Sequence, residues 1–173
     1  MAGSTWGVMT GAKIILHTGM DAACVGLASL AGASWMMSLP QRQGAWNGHP
    51  AGRGRPGMPA DGAAGLIAVT FGDLTAPAAD HVVLPVGWEP GEPDDEFTVQ
   101  LTGTIVLAPA AAQGCSALTL SGACRVPPGA LTPDGGDQVR LELIEAAREF
   151  ITSVARDITP GAGSGSLGQS WAW

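Results

Sequence analysis

Between Phe97 and Ile158 an apolar period of two residues gives way to one of 3.6, and that switch limits the chain to folds that pack a sheet against a helix. Phe97, Val99, Leu101, Ile105 and Leu107 alternate with Thr98, Gln100, Thr102 and Thr104. Successive side chains of a strand point to opposite faces, so this run reads as a strand with one face on a core. Gly103 interrupts the apolar face and predicts a bulge. Leu118, Leu120, Cys124 and Val126 repeat the pattern after the connection APAAAQG. A link that short predicts an antiparallel pair. The longer period then takes over. Val139, Leu143, Ala147, Phe150 and Val154 form one helical stripe, widened by Ile144, Ile151 and Ile158. Glu142, Glu145, Arg148, Glu149, Arg156 and Asp157 fall largely off it. Asp134 or Asp137 is the expected cap, and Thr159-Pro160-Gly161 the stop. At 1.5 Å per residue the helix is about 30 Å long, enough to cross a small sheet.

Upstream, Leu66–Phe71 and His81–Val86 read as short strands between Gly, Pro and Asp punctuation. Residues 1–11 read as extended, and Lys13–Thr18 as a strand. Asp21 is the expected cap of a helix running to about Ser38, because Leu16, Met20, Ala23, Leu27, Leu30 and Met37 recur at helical spacing. Gly19, Ala22, Gly26, Ser29 and Ala33 form a second stripe that lets another backbone come close, though each helical glycine costs about 1 kcal/mol relative to alanine. The alternative is that the glycines break this region into strands.

Two segments fit no period. Residues 40–65 hold seven glycines and four prolines, which excludes a helix or an interior strand. Trp46 and Met58 are apolar anchors within this arm. The chain ends GAGSGSLGQSWAW, a glycine-serine linker carrying Trp171 and Trp173. The expected organisation is one domain: an N-terminal segment (1–39), the Gly/Pro arm (40–65), an α+β core (66–160) and the tail (161–173). The expected fold class is α+β, an antiparallel β-sheet packed against a long C-terminal helix, with an N-terminal helix and the extended arm.

Charge bears on partners. Only 13% of residues are charged, about half the usual share. A GC-rich genome accounts for some of that bias; a surface hidden by neighbouring subunits accounts for it equally, because isolated domains keep mixed charge on show. Fourteen acids face four arginines beyond residue 60, which argues against a nucleic-acid interface on the core. Arg42, Arg53 and Arg55 are too sparse to reverse that.

Catalytic patterns are missing from the sequence. There is no CxxC pair, HExxH, P-loop or GxSxG elbow. Gly163–Gly168 fits GxGxxG but lies in the terminal linker, without the strand and helix that a dinucleotide site requires. His17, His49 and His81 lie too far apart in sequence to form a local metal pair. Asp80-His81 is a weak base pair if both sit on one strand, where neighbours point apart. Glu89, Glu92, Asp94, Asp95 and Glu96 read as a solvated acidic turn stiffened by Pro90 and Pro93, not a calcium loop. Cys24, Cys115 and Cys124 are odd in number and read as free thiols. Residues 22–41 are uncharged but rich in Gly, Ala and Ser, a poor membrane span and a poor signal core.

The sequence therefore reads as a non-enzymatic assembly subunit without cofactor or metal, a phage-type virion component (capsid or tail) being one candidate. Its expected partners are copies of itself or other subunits, not nucleic acid or membrane, reached through Trp46, Met58, Trp171 and Trp173. The expected location is cytoplasmic or virion. The alternative is a small α+β ligand-binding domain or enzyme with a pocket between sheet and helix.

Overall fold

The computed structural model describes residues 6–39, 65–90, 100–126 and 136–159. In chain order the elements are β1 (Trp6–Leu16), α1 (Met20–Ala28), β2 (Ser34–Leu39), β3 (Gly65–Phe71), β4 (Thr75–Ala78), β5 (His81–Pro90), β6 (Gln100–Pro109), β7 (Ser116–Val126) and α2 (Gly136–Ile158). Seven antiparallel strands form one sheet in the order β1-β7-β6-β5-β3-β2, with β4 pairing β5 beside that path. The α+β class and the C-terminal helix are as expected. The sheet is wider than the expected 66–126 span, because β1 and β2 join it from the N-terminal segment.

The register sorts the two faces completely. One rung crosses six strands through Val8, Cys124, Leu101, Trp88, Val69 and Trp35. Every member is apolar or a thiol, and this rung lies against α2. The adjacent rung, Met9, Ala123, Thr102, Gly87, Thr70 and Ser34, faces away. A slip of one residue would exchange the two sets, so burial pins the register.

α2 fills the inner side. Val139, Leu143, Ala147, Phe150, Val154 and Ile158 are buried, as the 3.6 period required. The Phe150 ring stands edge-on to Trp88 at 5.2 Å and stacks near Phe71 at 6.3 Å, and Trp35 meets Phe71 at 4.8 Å. The helix also reaches the far edge, where the Thr10 hydroxyl on β1 donates to the Leu143 carbonyl at 3.4 Å. Leu143 and Phe150 are about 10 Å apart along the helix axis. Strands β1 and β2 would be about 24 Å apart in a flat sheet. α2 thus spans the apolar face of the sheet from β1 to β2, and the other face is turned away from it. Glu142 was expected off the buried stripe, yet it is only 9% exposed. Asp137 lies in the first turn of the helix, not at its cap; the other cap candidate, Asp134, lies outside the described residues.

The helix expected from Asp21 to Ser38 is corrected. α1 stops at Ala28, and β2 takes Ser34–Leu39 into the sheet beside β3. Gly32 turns the chain with φ +71°, a conformation that other residues rarely adopt. Pairing with β3 and the Trp35–Phe71 contact outweigh the helical spacing of Leu30 and Met37. The N-cap is Gly19, and Asp21 sits in the first turn, where the helix dipole favours an acid. The close backbone approach read from the small-residue stripe does occur at Gly26, where any β-carbon would collide with Ile158 of α2. The bulge expected at Gly103 is absent: β6 pairs without a shift on both sides. Gly103 lies opposite Gly122 instead, and a β-carbon there would stand 2.6 Å from the Ser121 carbonyl oxygen. β4, with Pro77 inside it, has no alternating apolar face and gave no sequence signal.

Candidate functional site

The face of the sheet turned away from α2 is a continuous ordered surface among the described residues. Its central rung runs Met9, Ala123, Thr102, Gly87, Thr70 and Ser34, and the next runs Gly11, Ser121, Thr104 and Pro85. Neither rung holds an ionisable side chain. Lys13, Arg125 and Glu89 supply the formal charge on flanking rungs of the same face. Met9 at the β1 edge is 76% exposed, and Met36 on β2, at the opposite edge, is 59% exposed. An antiparallel sheet with one wet face ordinarily alternates apolar with polar and charged residues. On these two rungs the outward positions are Thr, Ser, Ala, Gly and Pro85, with Met9 at one edge, and Met36 lies on a flanking rung at the other.

The arm expected to bind partners leaves and rejoins this sheet at neighbouring points. Leu39 at the end of β2 pairs with Gly65 at the start of β3. Trp46 and Met58, within it, lie outside the described residues, as do Trp171 and Trp173 of the tail. The structure therefore does not bring these four residues to any site.

The histidines and carboxylates do not converge. His81 and Asp80 are hydrogen-bonded at 2.8 Å, contrary to the expectation that neighbours point apart. Asp80 belongs to the turn before β5, where strand alternation does not apply. The hydrogen bond from His81 holds the Asp80 carboxyl below its usual value, but both groups are solvent-exposed and no third group orients them. His49 lies outside the described residues, and so does the acidic turn beyond Glu89, which is itself exposed. No group of three or more metal-ligating side chains occurs among the described residues. No helix among them is long and apolar enough to cross a membrane.

All three cysteines are free thiols, as their parity predicted. Cys124 is buried in the core, which pushes its thiol up to about 12. Cys115 immediately precedes β7, with its sulfur 3.8 Å from Nδ1 of His17. Nothing in the local sequence hints at that pairing, because the partners are 98 residues apart and only the β1–β7 register joins them.

On the side of the sheet that faces α2 the aromatic cluster holds one unusual atom. Trp88 is 1% exposed, and its indole N–H has no acceptor among the described residues. A buried donor left without a partner costs about 1–3 kcal/mol.

No family model and no curated protein matches the chain. Among solved structures it is similar to a hypothetical protein from Helicobacter pylori, with 9% identity over 82% of this chain and 88% of that one and a TM-score of 0.40. It is also similar to a conserved protein from Geobacillus kaustophilus, with 15% identity over 88% of this chain and 95% of that one and a TM-score of 0.42.

Proposed function

We propose that the protein is a non-enzymatic assembly subunit whose sheet face turned away from α2 meets a neighbouring subunit, in the first instance a second copy of this chain. The observation that carries this is the uncharged pair of outer rungs, the longer of which crosses six strands. Six strands span about 24 Å, and the seven residues from Gly7 to Lys13 about 20 Å, so the face offers roughly 500 Å² per partner. Two such faces bury about 1,000 Å², the lower bound for a specific interface. The Gly/Pro arm and the tryptophan tail supply the remaining area in this reading, since such segments gain stability where a partner orders them. A virion shell or tail is one assembly that suits such a subunit. The test is Thr102→Glu with Ala123→Glu, which places two like charges side by side on the central rung. Association should weaken at least tenfold while the circular-dichroism spectrum stays unchanged. Unaltered association in that variant would remove this face from the proposal.

A second reading has one observation in its favour. The unpartnered Trp88 N–H, held between sheet and helix, suits an apolar molecule with a carbonyl or hydroxyl acceptor. Thermal shift against a panel of medium-chain ketones and fatty alcohols tests it. A midpoint rise that Trp88→Phe abolishes supports the site, and no rise with any compound disposes of it.

A further inference from the structure

Cys115 and His17 are placed by pairing, not by chance proximity. β1 and β7 pair residue for residue as far as Leu16 and Ser116, and the next step along the ladder sets His17 beside Cys115. Two contacts lock that step. The Ser116 hydroxyl, fully buried, donates to the Thr18 carbonyl at 2.8 Å, which ties the neighbours of both residues together. The β6–β7 turn closes on Cys115 itself: the Ala110 amide donates to its carbonyl at 3.1 Å, and its own amide donates to Ala112 at 3.2 Å. The resulting thiol–imidazole distance is 3.8 Å, within reach for a bond to sulfur. His17 is exposed and Cys115 half-buried, so both are open to a small reagent. Among the described residues, the other two thiols have no such neighbour. Cys124 is sealed in the core, and Cys24 lies on α1, packed against it. A nucleophile within reach of a base is the arrangement that activates a thiol.

We propose that Cys115, with His17 as its base, is a thiol-modification site that exchanges with small disulfides. The thiol of Cys115 gives its proton to Nδ1 of His17, and the thiolate attacks one sulfur of the disulfide. The new bond joins Cys115 Sγ to that sulfur while the old S–S bond breaks. The departing sulfur leaves as a thiolate and recovers the proton from the imidazolium. Cys115 is oxidised to a mixed disulfide, half of the reagent is reduced to a thiol, and the incoming disulfide is the only oxidant required.

The experiment incubates the full chain with glutathione disulfide and follows intact mass and peptide maps with time. One glutathione should add first, at Cys115, and Cys115→Ser should remove that addition. His17→Ala should slow the addition by at least about tenfold, the lower side of what a positioned base contributes. Free imidazole should restore part of the rate in His17→Ala, a rescue that a purely structural histidine would not allow. First addition at Cys24 or Cys124, or a wild-type rate in His17→Ala, overturns the proposal.

Discussion

Gly26 of α1 lies directly against Ile158 at the end of α2, at a separation that leaves no room for a β-carbon on the glycine. This contact joins the N-terminal third of the chain to its last described helix. Gly26→Ala must push one helix away from the other. The expected loss is about 1–3 kcal/mol, the usual cost of forcing extra volume into a packed contact. Urea denaturation measures it; a change below about 0.5 kcal/mol would show that the helices separate freely.

The aromatic cluster yields a pair of contrasting substitutions. Trp88→Ala and Phe150→Ala each empty the space between sheet and helix and should cost about 3–5 kcal/mol. Trp88→Phe keeps a ring against Phe150 and deletes the unpartnered N–H, so its cost should stay below about 1.5 kcal/mol. Equal losses for Trp88→Phe and Trp88→Ala would mean that the indole N–H has a partner.

Buried Cys124 makes stability fall at high pH. Its thiol is raised from 9.0 to about 12 by burial, so folding favours the protonated form. A group raised in the folded state contributes fully below its unfolded value and loses that contribution as pH climbs through the folded one. Stability should therefore decline between about pH 9 and 12, and Cys124→Ala should flatten that part of the profile while lowering the plateau. An equally steep decline in the variant would assign it to other groups.

Asp80 gives the opposite sign at acid pH. Its hydrogen bond to His81 lowers the carboxyl below the ordinary 3.8. The stabilisation is present above that value and disappears as pH falls through the lowered one. Both groups are solvent-exposed, so the useful readout is the carboxyl itself. In a carbon-detected NMR titration the Asp80 midpoint should rise when His81 becomes alanine; an unmoved midpoint would break the link.

These predictions differ in how far the sequence anticipates them. α2 and the β6–β7 pair follow from local period, and Leu101, Ile105, Leu107, Leu118, Leu120, Cys124 and Val126 are buried with the central stripe of α2, while Ile144 is half-buried and Phe97 and Val99 lie outside the described residues. The region from Met20 to Leu39 does not, because Leu30, Ser34 and Met37 suit a helical stripe while Trp35 and Met36 suit a strand. Only β3 decides between them, and no short apolar run contains that information. The pairing of β1 with β7 joins the first described strand of the chain to the last, so the Cys115–His17 neighbourhood is set by register alone. The outer face was legible only as low overall charge. That the uncharged positions gather on two adjacent rungs needs the strand order. The four anchors read from the sequence, Trp46, Met58, Trp171 and Trp173, lie outside the described residues, so the structure adds nothing to them.

The proposal that this chain acts by associating through the sheet face turned away from α2 is tested most directly by the mass of the wild-type protein in solution. Light scattering on a sizing column, from low to high micromolar loading, should give a mass above that of one chain that rises with concentration and falls back to the monomer in the Thr102→Glu, Ala123→Glu variant. A single-chain mass for the wild type at every concentration would contradict it.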